Sequence, residues 1–260
     1  MLGTVVVMSD VGITDDEPEF DAEGLFDDDY LHFYGPLIDE RTQAESEFVR
    51  RLLGVSPGDE VLDLACGHGR LSNRLAAMGC RVTGSDNSAT FLRRARADAA
   101  ELGVEVTYVD GDMRELPWQE RFDAVLNWFT AFGYFSDSGN RRVLSEVHRA
   151  LRPGGRLVME LNDVVELLPR YRSQVVHEVG DDMMIDHHRL DPLTMRSIVE
   201  RVVVRGGRVR HVPHAVRMFT APELRGWLHQ AGFTDVAFRG EDGEALGTGH
   251  RRMIALATRA

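Results

Sequence analysis

EVLDLACGHGRLS, residues 60–72, predicts a buried strand that ends in a glycine loop and opens a helix. Gly67 and Gly69 carry no Cβ atom, so the backbone at these positions can approach a bound ligand closely. The helix that follows presents free backbone N–H groups to the same space. In open α/β sheets such a loop lies at the carboxyl end of a strand, where nucleotides bind. A tight turn without any ligand is the alternative interpretation.

Strands and helices alternate along the chain on both sides of this loop. The predicted strands cover residues 60–65, 81–85, 104–109, 122–128 and 156–161. The predicted helices cover residues 41–53, 70–78, 89–102 and 141–151. Because parallel neighbours need a crossover, which is usually helical, this alternation predicts an α/β fold with a doubly wound, mostly parallel sheet.

Residues 174–218 interrupt this alternation. Two β-branched, alternating segments, residues 198–204 and 209–218, flank the turn sequence RGGR at 205–208. This pattern predicts an antiparallel hairpin, to which residues 175–190 are expected to add a third strand.

The α/β pattern then returns for the rest of the chain. A capping box of Thr220 and Glu223 predicts a helix at 221–231. Two further strands are expected at 234–239 and 253–258.

The acidic residues are concentrated at one end of the chain. The formal net charge is −12, and residues 1–30 hold ten acids and no base, which leaves −2 for the rest. We expect residues 1–25 to be a disordered, solvated leader, with a regulatory or interaction arm as the alternative. The sequence contains no basic patch of the kind that nucleic-acid binding requires, so no nucleic-acid partner is expected.

The apolar segments are short. None approaches the roughly 18–20 residues that span a bilayer, so no membrane partner is expected. The apolar run at residues 2–8 has no base before it and no small-residue cleavage site after it, which predicts a cytoplasmic location. The two cysteines, Cys66 and Cys80, are too few for a disulfide framework or a metal site, and we expect no metal. Monomer and homodimer are both left open.

Two kinds of nucleotide ligand fit the glycine loop. Residues 67–72 nearly satisfy the dinucleotide pattern, and Asp86 lies 19 residues after Gly67, where that fold has its ribose-binding acid. Asp63, inside the strand, favours a different ligand, because an amino-acid ammonium group can use an acid there and an anionic pyrophosphate cannot. Asp112, after the third strand, can accept a hydrogen bond from the exocyclic amine of adenine.

The chain carries five short segments in a characteristic order: DLACGHG (63–69), GSDNS (84–88), GDMRELP (111–117), FDAVLNW (122–128) and LRPGGRLV (151–158). This set resembles the class I S-adenosylmethionine-dependent methyltransferases, in particular the small-molecule branch that includes antibiotic and amino-sugar methyltransferases. The resemblance runs from about Tyr30 to the end of the chain. It implies a seven-stranded sheet whose last strand is antiparallel, with S-adenosylmethionine as methyl donor and S-adenosylhomocysteine as product.

With this resemblance, the chain divides into four segments. Residues 1–25 are the disordered acidic leader, and residues 26–173 hold the N-terminal cap helix and the cofactor-binding α/β core. Residues 174–218 form an antiparallel β lid inserted into that core. Residues 219–260 supply the C-terminal helix and the last two strands.

Nine residues are expected to bind the cofactor, eight of them assigned by position in the family motifs. Those at the methionine portion are Ala65, Gly67, Gly69 and Asn127, joined by Asp63 on the charge argument above. Those at the ribose and adenine are Asp86, Asn87, Asp112 and Met113.

An aromatic segment, WFTAFGYF at 128–135, directly follows the fourth strand, and its rings either belong to the core or line an acceptor pocket. The stretch 126–136 has no charged residue, so we expect a small, largely aromatic or apolar acceptor. By resemblance, the insertion covers this pocket, while Tyr30, His32, Phe33 and Tyr34 close it from the N-terminal side. The residues expected to bind the acceptor are Tyr30, Tyr34, Trp128, Phe132, Tyr134, Asn162, Arg170 and His187.

Methyl transfer requires little acid–base chemistry, because the sulfonium is a strong electrophile and the enzyme mainly positions the nucleophile and excludes water. A base is needed only to take a proton from an oxygen or ammonium acceptor. The candidates for this base are His187, His188, His211, His214 and Asp163. Of these we select His188, together with Tyr134, as the expected catalytic residues.

The sequence therefore predicts an enzyme that methylates N, O or C of a small molecule, in secondary metabolism. Methylation of a protein side chain or of RNA is an alternative within the same class. Two alternatives belong to other classes, namely an NAD-dependent oxidoreductase and a non-catalytic binder of the cofactor.

Overall fold

The computed structural model describes residues 20–39 and 41–260, so the first 19 residues of the predicted leader lie outside it. Its helices are α1 (Ala22–Leu25), α2 (Asp28–Asp39), α3 (Thr42–Leu53), α4 (Arg70–Ala77), α5 (Ala89–Leu102), α6 (Asp137–Ala150), α7 (Val164–Leu167) and α8 (Ala221–Gln230). Its strands are β1 (Glu60–Leu64), β2 (Arg81–Asp86), β3 (Val106–Asp110), β4 (Phe122–Asn127), β5 (Leu151–Asn162), β6 (Gln174–Val179), β7 (Asp182–Asp191), β8 (Arg196–Arg205), β9 (Arg208–Arg217), β10 (Phe233–Arg239) and β11 (Arg252–Arg259). None of the helices described is long and apolar enough to cross a membrane.

Seven strands form the central sheet, in the order β10-β11-β5-β4-β1-β2-β3. The five strands from β5 to β3 in this order pair in parallel. β11, the last strand of the chain, runs antiparallel to both β5 and β10. This arrangement confirms the predicted doubly wound, mostly parallel, seven-stranded α/β fold with an antiparallel last strand.

The strand β1 is buried on both faces of the sheet. Val61 belongs to one core cluster together with Leu53 of α3 and Leu75 of α4, and Leu62 belongs to a second cluster that includes Leu228 of α8. Successive side chains of a strand point to opposite faces, so one apolar run serves both layers. Burying each such side chain stabilises the fold by about 1.5–3 kcal/mol. The carboxyl end of β1, which carries the glycine loop, is thereby held in place.

The strand β5 differs from its predicted bounds. Leu151 already pairs with Phe122 of β4, and the next pair in the ladder joins Arg156 to Ala124. Residues 152–155 therefore form a bulge within β5, whereas the sequence predicts a turn that precedes the strand. These four residues lie opposite the single residue Asp123 of β4, so the backbone ladder has no paired positions for them.

The strands β6–β9 form a second, antiparallel sheet in sequence order. The predicted hairpin consists of β8 and β9, and its turn uses Gly206 and Gly207 at φ 55° and 76°. Such a turn needs left-handed backbone at both positions, which glycine adopts without a steric penalty. The prediction of one strand at 175–190 is wrong, because the chain reverses at Gly180 (φ 61°) and makes a second hairpin.

The N-terminal helices begin earlier than predicted. Asp21 caps α1 by accepting the N–H of Gly24 at 2.9 Å, and Ala22 and Leu25 are buried. The predicted end of the leader at residue 25 is therefore wrong for its last residues, because apolar side chains there dock onto the protein.

The helix α2 lies against the second sheet. Phe33 packs with Met184 and Val203, and Asp29 forms ion pairs with Arg205 at 2.8 Å and Arg210 at 2.6 Å. Together these contacts attach the N-terminal helices to the second sheet.

Candidate active site

A cavity of about 970 Å³ lies at the carboxyl ends of β1, β2 and β4, with the second sheet as its opposite wall. Its lining comes from the glycine loop, the N-terminal helices, the segment that follows β4 and one face of the second sheet. The ends of parallel strands and the second sheet therefore line one common cavity, as expected for a ligand site in an open α/β sheet.

The glycine loop turns on three left-handed residues. Ala65, Gly67 and Gly69 have φ values of 58°, 58° and 76°. A Cβ atom on Gly69 would lie 2.1 Å from Oη of Tyr108 and 2.8 Å from Cβ of Ala95. Position 69 therefore requires glycine both for its backbone conformation and for the close approach of α5 and β3.

The carboxylate of Asp86 lies beneath this loop. It accepts the backbone N–H of Gly67 at 2.7 Å and that of Ser88 at 2.9 Å. Burial raises the pKa of Asp86, and the two backbone hydrogen bonds act in the opposite direction. Each carboxylate oxygen can accept more than one hydrogen bond, so Asp86 retains acceptor capacity toward the cavity, where Asn87 lies beside it.

Two buried polar side chains lie near the end of β1. Asp63 accepts a hydrogen bond from Oγ of Ser72 at 2.6 Å, and burial raises its pKa to about 6. Asn127 donates to the carbonyl of Leu64 at 3.1 Å, while its Oδ1 is buried without a hydrogen-bond partner among the described residues. A cation bound here would stabilise the Asp63 carboxylate and satisfy that oxygen.

Of the residues expected at the cofactor, Asp63, Ala65, Gly67, Asp86, Asn87 and Met113 line the cavity. Gly69 and Asn127 support the lining from behind it. Asp112 is not among the residues that line the cavity, and its carboxylate pairs with Arg114 at 2.6 Å, so its contact with adenine stays a prediction. Burial acts against the shift, but the hydrogen bonds from Arg114 lower the pKa of Asp112. Met113 is the residue of this segment that reaches the cavity.

Comparison with known proteins decides the family. Residues 61–155 match a protein family described as a methyltransferase domain. The chain is also 33% identical, over 178 residues, to a demethylmenaquinone methyltransferase of Thermus thermophilus, which covers 67% of this chain and 74% of that protein. The chain belongs to the S-adenosylmethionine-dependent methyltransferases. S-adenosylmethionine is accordingly the cofactor. The carboxylate of Asp63 and the Oδ1 of Asn127, which is unpaired among the described residues, fit its ammonium group, and the carboxylate of Asp86 fits its ribose. The left-handed backbone of the glycine loop allows the cofactor to approach closely.

Solved structures share the fold of this methyltransferase. An S-adenosylmethionine-dependent methyltransferase from Clostridium acetobutylicum superposes with a TM-score of 0.72 at 16% identity, covering 89% of this chain and 98% of that one. CalS10 of Micromonospora echinaspora, an amino pentose methyltransferase involved in calicheamicin biosynthesis, gives a TM-score of 0.60 at 21% identity, covering 85% and 91%. At these identities the likeness concerns the fold alone.

The aromatic segment after β4 contributes to both core and cavity. Trp128, Phe129 and Tyr134 line the cavity, and the indole Nε1–H of Trp128 donates to Glu45 at 2.7 Å. The prediction that Phe132 binds the acceptor is wrong. This side chain is completely buried and its ring lies 5.4 Å from that of Phe219 in the core, because the loop turns it away from the cavity.

Phe129 and Thr130 form a strained corner that sequence reasoning missed. Both are left-handed, at φ 63° and 56°, a conformation that costs non-glycine residues energy. The corner is held because Glu160 accepts the N–H of Phe129 at 2.8 Å and Arg252 donates to Thr130 at 2.8 Å. The Phe129 ring lies between the guanidinium groups of Arg70 and Arg252, each 5.8 Å from its centroid. Nothing in the local sequence signals this backbone conformation.

The N-terminal wall is aromatic. Tyr30 and Tyr34 line the cavity, and their ring centroids are 4.6 Å apart. Phe20 and Phe26 also line it, with ring centroids 4.8 and 5.7 Å from that of Tyr134. His32 and Phe33 do not close the cavity as predicted. His32 pairs with Asp182 at 3.0 Å and Phe33 is buried against the second sheet, because both lie on the helix face away from the cavity.

The remaining predicted acceptor and base residues divide by their strand face. Asn162, Arg170, His188 and His214 line the cavity. His187 is exposed on the opposite face of β7, so its expected role at the acceptor is wrong, since neighbouring strand residues point in opposite directions. His211 is exposed too, and Asp163 caps α7 by accepting the N–H of Val165 at 3.0 Å.

Proposed function

We propose that this methyltransferase acts on a small, largely aromatic or apolar acceptor that carries an oxygen or nitrogen nucleophile. The acceptor binds in the part of the cavity lined by Tyr30, Tyr34, Phe129, Tyr134 and the second sheet, called the acceptor chamber below. The observation that carries this proposal is that the chamber and the glycine loop line one continuous cavity. A volume of about 970 Å³ is at the upper end for small-molecule sites, which leaves room for a second molecule beside the cofactor.

The chemistry requires placement more than acid–base catalysis. When bound, S-adenosylmethionine supplies an electrophilic methyl group. Asp63 and Asp86 hold its ammonium and ribose ends, so that the acceptor alone has to be oriented by the rings of the chamber. The N-terminal helices and the second sheet exclude water, which would otherwise compete for hydrogen bonds with the acceptor.

The similar proteins support a small acceptor. One relative is named for demethylmenaquinone and one structural neighbour for an amino pentose in calicheamicin biosynthesis. Both names denote small molecules, and the second is consistent with a role in secondary metabolism.

The experiment that tests this proposal compares classes of acceptor. Full-length protein with S-adenosylmethionine carrying a labelled methyl group is offered a panel of phenols, hydroxyquinones and aminosugars, and separately a panel of unstructured peptides. We expect labelled product and S-adenosylhomocysteine from the small molecules alone. Transfer to peptides with none to any small molecule would overturn the proposal. Calorimetry with S-adenosylhomocysteine and NAD is run beside it, and NAD is expected not to bind.

A further inference from the structure

Two histidines, His188 and His214, face the acceptor chamber from one row of the second sheet, with Val199 between them. His188 of β7 pairs with Val199 of β8, which in turn pairs with His214 of β9. Directly paired residues project from the same face of a sheet, so both imidazoles are on the cavity side. Both line the cavity together with Val199.

The adjacent row of the same face carries a buried ion pair. Nε and Nη2 of Arg201 donate to Asp186 at 2.7 and 2.8 Å, and both side chains are less than a tenth exposed. Nη2 of Arg201 also lies 3.4 Å from the hydroxyl of Tyr34. The carboxylate of Asp186 is therefore occupied by its partner, and against the opposing effect of burial Arg201 lowers the pKa of Asp186.

One nitrogen of His214 has a backbone partner. Its Nδ1 lies 3.3 Å from the carbonyl oxygen of Val212. A carbonyl can only accept, so this contact assigns the proton to Nδ1 and leaves the lone pair on Nε2. Nε2 has no hydrogen-bond partner among the described residues, and the side chain lines the cavity, so Nε2 is available as an acceptor.

The surroundings keep both imidazoles uncharged near neutral pH. Burial, and then Arg201, lower the pKa of His214 to about 4, and burial also lowers the pKa of His188 although Asp186 opposes the shift. Tyr134 and Tyr34 of the chamber do not act as bases near neutral pH. Burial raises the pKa of Tyr134 to about 12 and that of Tyr34 above its usual value, so both phenols stay protonated.

We propose that His214 is the group that accepts the proton of the acceptor's hydroxyl or amine, with His188 as a second hydrogen-bonding group. This inference rests on the proposed function and names the chemistry of its acceptor. The nucleophile's lone pair forms the bond to the methyl carbon, the electron pair of the broken methyl–sulfur bond stays on sulfur, and the proton of O–H or N–H moves to Nε2. The single positive charge thus moves from the sulfonium to the imidazolium, and the total charge in the cavity is unchanged. The loss of the sulfonium charge raises the basicity of His214 at the moment when a base is required.

Binding of two matched probes tests this without knowledge of the natural acceptor. Protein saturated with S-adenosylhomocysteine is titrated with 4-fluorophenol and with fluorobenzene, followed by fluorine NMR. We expect the phenol to bind about tenfold more tightly, as one hydrogen bond from its hydroxyl to Nε2 provides. His214→Leu should reduce the difference to less than threefold. His211→Leu, on the same strand but exposed on the other face, should leave it unchanged.

Nitrogen NMR of the wild-type protein tests the same hydrogen bond without any substitution, so misfolding of a variant cannot affect the result. The imidazole that is protonated on Nδ1 should show an Nε2 shift when 4-fluorophenol is added and none with fluorobenzene. Equal binding of the two probes, absence of binding by both, survival of the preference in His214→Leu, or an unshifted Nε2 would each overturn the proposal. Failure of the wild-type protein to bind S-adenosylhomocysteine at all would instead contradict the proposed function.

Discussion

The carboxylate of Asp86 at the end of β2 accepts the backbone N–H of Gly67 at 2.7 Å. This hydrogen bond joins the glycine loop to the neighbouring strand, although 19 residues separate the two along the chain. A residue chosen from sequence as a ligand-binding acid therefore also sets the shape of the loop.

Replacement of Asp86 should separate these two roles. We expect Asp86→Ala to weaken S-adenosylhomocysteine binding by about 2–4 kcal/mol, because the charge-assisted hydrogen bonds of its carboxylate are lost. Asp86→Asn keeps one acceptor oxygen for Gly67 and should lose less. Calorimetry gives the affinities, and unfolding in urea checks that each variant is folded. Unchanged affinity in a folded Asp86→Ala protein would contradict the assignment.

Two glycines with the same backbone conformation should respond differently to alanine. Gly69 has φ 76° and no room for a Cβ, whereas Gly154 has φ 78° and nothing within 4 Å of that position. Gly154→Ala should cost about 1–2 kcal/mol of unfolding free energy, the penalty of a left-handed alanine alone. Gly69→Ala should cost about 1–3 kcal/mol more, since Tyr108 and Ala95 must move. Urea denaturation measures both, and equal losses would show that the steric contact is relieved without cost.

Two aromatic residues of the segment after β4 should have opposite phenotypes. Phe132→Ala leaves a void in the core and should cost about 3–5 kcal/mol of unfolding free energy. Tyr134→Ala should cost less stability but lower kcat/KM for an acceptor at least tenfold, or about 1.4 kcal/mol. S-adenosylhomocysteine should bind to the Tyr134 variant with nearly wild-type affinity. If that binding is lost together with activity, Tyr134 belongs to the cofactor site.

His214 should make stability depend on pH. Burial lowers its folded-state pKa from 6.5 to about 4, so the unfolded chain takes up this proton at higher pH than the folded protein does. The stabilisation is complete above pH 6.5 and disappears as the pH falls toward 4, a loss of about 3 kcal/mol. Asp63, whose pKa is raised to about 6, has the opposite sign, because its effect is lost as the pH rises through 6.

The comparison of wild type with His214→Leu isolates this effect, because Asp63 is present in both proteins. We expect the unfolding free energy of the wild type minus that of the variant to fall steadily as the pH is lowered from 6.5 to 4. Urea denaturation at four pH values in this interval measures it. Parallel pH profiles would show that His214 titrates normally.

Truncation from the N-terminus should show which residues of this region the cavity requires. Removal of residues 1–19 should leave the Kd for S-adenosylhomocysteine within about twofold, since the described lining starts at Phe20. Removal of residues 1–34 also takes away Tyr30 and Tyr34, and should abolish methyl transfer. Equal loss of activity in both truncated proteins would assign a function to the acidic leader.

Most of the central fold could be predicted from local sequence. A largely apolar run such as 61–64, interrupted by Asp63, predicts a strand that is buried on both faces, and the glycines at 67 and 69 mark the turn that follows. The same holds for Asp63 and Asp86, whose positions relative to the strand ends place them at the carboxyl edge of the sheet. These features depend on neighbours within a few residues, and period and turn chemistry are enough to read them.

Which of two adjacent residues faces the acceptor chamber depends on contacts between distant parts of the chain. Alternation along β7 predicts that His187 and His188 point in opposite directions, but the phase is set by the pairing of β7 with β8 and by the side on which the sheet packs. Phe132 and Tyr134 differ likewise through the left-handed corner at Phe129, which Glu160 and Arg252 hold from distant strands. The sequence determined which residue types were available, and long-range packing determined which of them reached the cavity.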